Sequence, residues 1–151
     1  MHRGRCYVSA AAPMSEEETE GEKNMEKQYW VVGATYGSDD QYDRFVKGGF
    51  WMLGWEENDQ PVQYELAKRI RAGDRIAIKI RNGRGARDIT IRCIGIVKEV
   101  ILDNTRIFCT VNWCAEDMNR RVFVHGCLGS IHGPYAMQGT DRSWLQDIFS
   151  L

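Results

Sequence analysis

The apolar positions of the chain first follow a strand period. Tyr29-Trp30-Val31-Val32-Gly33-Ala34-Thr35 is a β-branched and aromatic run, closed by Tyr36-Gly37-Ser38-Asp39-Asp40, whose Gly, Ser and Asp favour a turn. The pattern predicts a strand running into a loop. Asp39 or Asp40 is then placed to cap a short helix through Val46, with Tyr42, Phe45 and Val46 on its apolar face and Gly48-Gly49 as its stop. Phe50 to Trp55 emerges directly from that stop. Pro61 suits the first position of a second helix through Arg71, because Val62, Leu66 and Ile70 recur at helical spacing and Gly73 follows the end.

Strand signals dominate from there. Arg75-Ile76-Ala77-Ile78-Lys79-Ile80 alternates polar and apolar residues, as does Asp88 to Arg92, while Cys93 to Val100 is apolar enough to cross a core. Asn82 to Arg87 reads as the hairpin loop between them. Arg106 to Trp113 and Arg121 to Val124 add two more strands, and Thr140 or Asp141 is placed to cap a last helix carrying Trp144, Leu145, Ile148 and Phe149. Short strands with mostly hairpin connections and few helices predict an α+β fold. The expected form is a small β-barrel of five to six mostly antiparallel strands, flanked by two or three helices.

Composition changes this picture in three places. Residues 1–26 hold a glutamate run and no periodic apolar pattern, which predicts a disordered acidic tail before one folded domain over 27–151. The 151 residues carry a net charge of −1. Residues 1–24 contribute three basic side chains (Arg3, Arg5, Lys23) and five acidic ones (Glu16, Glu17, Glu18, Glu20, Glu22). The remainder therefore holds 17 basic and 16 acidic residues, and any nucleic-acid contact must rest on a local patch. No apolar run reaches the roughly 18 residues of a membrane span. The five cysteines are odd in number and lack a C-x-x-C pair, so neither a disulfide framework nor a zinc site is signalled, and a reducing, cytoplasmic location is expected.

Catalytic chemistry has little to stand on. The folded region holds only His125 and His132 as imidazole bases, and there is no nucleophile elbow, phosphate-binding lysine loop or H-E-x-x-H motif. A non-catalytic domain without cofactor or metal is expected. Five Trp in this length are the more informative feature, since aromatic faces hold an unstacked base. Trp51 and Trp55, spaced by four after the Gly-Gly break, suit a pocket under the loop Tyr36 to Asp40, and two readings of Trp51 compete, pocket wall and core. Trp30, Trp113 and Trp144 read as core. Thr35, Tyr36, Ser38 and Asp40 offer the polar groups that recognition of a base edge requires, the competing reading being a turn and a helix cap. Arg81, Arg84, Arg87 and Arg92 gather around the hairpin, where guanidinium forks suit phosphate oxygens.

These residues also carry a resemblance. Tyr29 to Trp51, with Ser38-Asp39-Asp40, a short helix and an aromatic after glycine, is similar to the opening of YTH domains, which read N6-methyladenine in RNA. In that likeness Trp51 matches a cage Trp and Asp40 a polar contact to the base. Arg71-Ala72-Gly73-Asp74-Arg75 and Ile94 to Val100 resemble the Gly-Asp strand entry and the central strand of EVE and other PUA-like domains, and Val111-Asn112-Trp113 resembles a YTH strand ending in Trp. Where YTH domains place a second cage Trp, this chain has Ile101 to Thr105, and Trp55, Tyr36 or Tyr135 are the candidates for that wall. The resemblance implies a PUA-like barrel holding a flipped, modified base of DNA or RNA, either 5-methylcytosine or N6-methyladenine. It also implies an ATPase or nuclease partner. The alternative is a protein-interaction or small-molecule sensor module using the same cleft.

Overall fold

A computed structural model describes residues 26–103 and 105–151, so the expected acidic tail lies almost wholly outside the described residues. The described chain is α+β. Its main sheet has seven strands in the order β4-β7-β6-β5-β1-β9, with β8 paired to β6. They are β1 (Tyr29–Gly33), β4 (Phe50–Met52), β5 (Arg75–Arg81), β6 (Asp88–Asp103), β7 (Arg106–Ala115), β8 (Arg120–Phe123) and β9 (Ile131–Tyr135); β2 (Thr35–Tyr36) and β3 (Asp39–Asp40) form a separate ribbon. The helices are α1 (Tyr42–Gly48), α2 (Pro61–Ala67) and α3 (Arg142–Phe149).

This corrects the expected barrel in two respects. The strands number seven rather than five or six, and among the described residues the sheet runs from an edge at β4 to an edge at β9 without closing. It is also mixed, because β1 pairs with β5 in parallel, Trp30 beside Ile76 and Gly33 beside Lys79. A parallel pair needs a crossover, and the chain from α1 through β4 to α2 supplies it.

Alternation along β1 and β5 sends side chains to both faces. Trp30, Val32, Ile76 and Ile78 join one core with Phe45, Trp51, Tyr64 and Trp113, while Tyr29, Val31 and Ala77 join another with Ile89, Ile91, Val122 and the buried side of α3. That side is Trp144, Leu145, Ile148 and Phe149, and each large apolar side chain so enclosed contributes roughly 1.5–3 kcal/mol.

Local signals explain the element ends. Gly49 stops α1 with φ +69°, a left-handed conformation that glycine adopts without strain. Pro61 opens α2, which is shorter than its sequence pattern and buries Tyr64 and Ala67; Val62, expected on the apolar face, is 76% exposed. The Asp141 carboxylate, an expected cap of α3, lies instead 3.0 Å from Nε2 of His125, whose ring stacks on Trp144 at 4.3 Å.

Candidate functional site

At the carboxyl ends of the parallel pair β1 and β5 the structure opens into a cleft of about 510 Å³. Gly33 and Thr35 line it from the first strand and its continuation, and Gly37 from the tip of the β2–β3 ribbon. Lys79, Ile80 and Arg81 come from the end of β5, Gln63 from α2, and Leu128, Gly129 and Ser130 from the segment entering β9. Trp55, after β4, completes the lining. The volume falls within the range usual for small-ligand sites.

Polar contacts fix this wall. The Trp55 indole is 38% exposed, and its Nε1 donates to Ser130 Oγ at 3.1 Å. Ser130 N in turn donates to Gln63 Oε1 at 3.1 Å, and Gly33 N donates to the Ser130 carbonyl at 2.9 Å. An exposed aromatic face is thereby tied to α2 and to β1. Gly129 N donates to His132 Nε2 at 2.8 Å, which leaves that nitrogen unprotonated; burial and the neighbouring Lys79 hold the imidazole below its ordinary pKa.

The charge is one-sided. None of the lining residues is acidic, and two are cationic, Arg81 exposed at the end of β5 and Lys79 only 6% exposed beneath it. Desolvation pushes the Lys79 ammonium down to about 8, with Cys127 acting against this and Arg81 adding to it. Lys79 therefore remains mostly a cation at neutral pH.

Of the residues singled out in the sequence, Thr35, Trp55 and Arg81 meet in this cleft. Trp51 does not: it is 1% exposed, sits on β4 opposite Cys109 of β7, and its Nε1 donates to the Gly33 carbonyl at 2.8 Å. Of its two readings, the structure gives the core. Trp51 and Trp55 do not share a strand face either, since β4 ends at Met52. Tyr36 lies outside the lining, its ring edge-on to Phe45 and its hydroxyl donating to the Met52 carbonyl at 2.5 Å.

Asp40 is engaged as turn and helix entry. Its Oδ1 accepts from Tyr42 N at 3.0 Å, and its Oδ2 forms an ion pair with Arg92 at 2.7 Å. Arg92 also lies 3.9 Å over the Tyr42 ring, so its guanidinium binds protein groups rather than standing as an open phosphate contact. Ser38, Arg84 and Arg87 are exposed on the ribbon and the β5–β6 hairpin, away from the cleft lining.

Sequence reasoning missed Lys79, Gln63 and Ser130. Lys79 occupies a polar position in an alternating strand, the kind that faces solvent when only one side of a sheet is covered. Its burial follows from the second core, which covers that face of β5 as well. Tyr135, the third candidate wall, lies instead against Trp144 and His125, its ring centroid 5.1 Å from that of Trp144.

Among the described residues no group of His, Cys, Asp and Glu is arranged to hold a metal ion. No helix among them is long and apolar enough to cross a membrane. No protein-family model matches the chain, and no curated protein is significantly similar to it in sequence.

Proposed function

We propose that this chain is a non-catalytic recognition domain that takes one flipped, modified base of DNA or RNA into the cleft beside Trp55. The observation that carries the reading is the half-open Trp55 indole, anchored through Nε1 to Ser130, at the mouth of a concave site whose only charged lining residues are cationic. A π face supplies stacking that every base accepts, and an exposed guanidinium supplies a fork for the phosphate beside it. Arg81, at the rim, has that role, and Thr35 faces the base edge.

The same reading places the domain in the PUA-like class with EVE and YTH modules, the α+β sheet and the ribbon after β1 being its support. It moves the stacking wall from Trp51, enclosed in the core, to Trp55. A peptide or small metabolite in the cleft is the competing occupant, favoured by the apolar Leu128, 52% exposed at the rim.

The test is an equilibrium titration with single-stranded oligonucleotides. Stacking on one aromatic contributes about 1–3 kcal/mol, so Trp55→Ala is expected to weaken binding by roughly fivefold to a hundredfold while leaving thermal unfolding unchanged. Undiminished binding by Trp55→Ala contradicts the proposal.

A further inference from the structure

The reading of the cleft as a base site leaves Lys79 unexplained. Its side chain is buried to all but 6%, yet among the described residues its ammonium has neither a hydrogen-bond acceptor nor an ion-pair partner. An ammonium largely withdrawn from water is unfavourable without an acceptor, and Lys79 lines the cleft, from which an acceptor can enter.

The surroundings of Nζ show where completion comes from. A side-chain carbon built on Gly33 would stand 3.7 Å from Nζ and 3.8 Å from the Gly129 carbonyl, so the nitrogen lies beside a glycine of the cleft wall. Its neighbours do not neutralise it: burial holds the Cys127 thiol protonated, and the His132 lone pair at Nε2 is taken by Gly129 N. The other charged side chain of the cleft lining, Arg81, carries the same sign.

We propose that the base taken into the cleft carries a carbonyl oxygen, and that Lys79 reads it. An ammonium has three donors and no acceptor, so the atom that meets it must accept. Cytosine, thymine, uracil and guanine each present a keto oxygen. Adenine presents none: its acceptors are ring nitrogens, and at the N1 and N7 edges the N6 amino group, methylated or not, stands beside them as a donor facing a donor, so the keto bases are the better match. Arg81 lies two residues further along β5 and is exposed, which sorts the two cations by depth: the buried one to the base, the outer one to the backbone. This inference rests on the base-binding reading, selects 5-methylcytosine over N6-methyladenine within it, and gives the second recognition element that Trp55 alone lacks.

The experiment is a competition series in one single-stranded sequence, with the central position varied among cytosine, 5-methylcytosine, thymine, guanine, adenine, N6-methyladenine and an abasic site. A hydrogen bond to a charged donor predicts about tenfold or more between the best keto base and both adenines. Lys79→Met is expected to erase that difference while retaining the preference of any base over the abasic site, with its thermal unfolding recorded alongside. Gly33→Ala is the second variant, since the added methyl meets only ordinary van der Waals contacts in the protein but intrudes beside Nζ; it is expected to weaken keto bases most. Adenines that bind as tightly as the keto bases, or a keto preference that survives Lys79→Met, overturn the role of Lys79 and leave the cleft a base site. Binding that ignores the central base altogether, abasic included, overturns the base-binding reading itself.

Discussion

All five Trp indoles of the chain donate a hydrogen bond, and exposure separates four of them from the fifth. Trp30 donates to Asp74, Trp51 to the Gly33 carbonyl, Trp113 to the Phe45 carbonyl and Trp144 to the Phe123 carbonyl, all from buried side chains, whereas exposed Trp55 donates to Ser130. Asp74, 1% exposed, is the acceptor on which most converges. It also receives Gln28 N, Gln28 Nε2 and Arg71 N, all within 3.1 Å. Asp74→Ala leaves the buried Trp30 Nε1 without its acceptor and takes one from each of three half-buried donors, and is expected to cost about 3 kcal/mol, read from denaturant melts. A loss below about 1 kcal/mol would show that water replaces the carboxylate.

Lys79 gives a pH signature at the same scale. Burial lowers its pKa from 10.5 to about 8, so the native state binds that proton more weakly than the unfolded chain does. Stability contributed here is therefore lowest below about pH 8 and rises as pH climbs from 8 towards 10.5. Lys79→Met lacks this titration, whereas the thiols Cys93 and Cys109 and the raised tyrosines Tyr36 and Tyr42, which Lys79 does not perturb, titrate alike in both proteins. The variant is expected to be the more stable at pH 7, by an amount on the order of 3 kcal/mol that shrinks towards pH 10.5. A gap that does not change with pH would mean that the ammonium is not desolvated.

Between elements, the tightest constraint is the β6–β7 pair. A side-chain carbon at Gly95 would come within 2.6 Å of the Asn112 carbonyl and 2.7 Å of Val111, so Gly95→Ala must push the strands apart, at an expected cost of about 1–3 kcal/mol in unfolding experiments. The alternating strands β5 and β7 were legible because each carries its period in full. β6 read as two segments, but it is continuous, with the pairing to β5 skipping Arg92, which instead reaches Asp40 and Tyr42. β9 escaped notice because Ile131-His132-Gly133-Pro134-Tyr135 contains a Gly-Pro step that signals a turn; it forms at the sheet edge, where a missing backbone donor is tolerated. The parallel β1–β5 pair depends on residues far apart in the chain, which local periodicity does not encode.

For the molecule as a whole, the cleft is an assembly of five separate segments, and this is why only part of it was readable. Thr35, Trp55 and Arg81 were marked by residue type. Trp51 was marked by the same reasoning and fell into the core, because the 3-residue strand β4 pairs with β7 and turns its ring inward. Near-neutral overall charge with a single exposed cation in the cleft lining predicts a shallow salt dependence. Arg81 is the one exposed cation in the lining, so on single strands the logarithmic slope is expected near −1 rather than the steep values of proteins that track many phosphates. A steep slope would move the binding surface to the β5–β6 hairpin with Arg84 and Arg87.

The most direct measurement follows the five indole N–H resonances by two-dimensional NMR while an oligonucleotide containing 5-methylcytosine is added, with Trp55→Phe assigning the signal of Trp55. The account predicts that the Trp55 resonance shifts saturably and far more than those of Trp30, Trp51, Trp113 and Trp144. A stationary Trp55 signal in the presence of saturating oligonucleotide would contradict it.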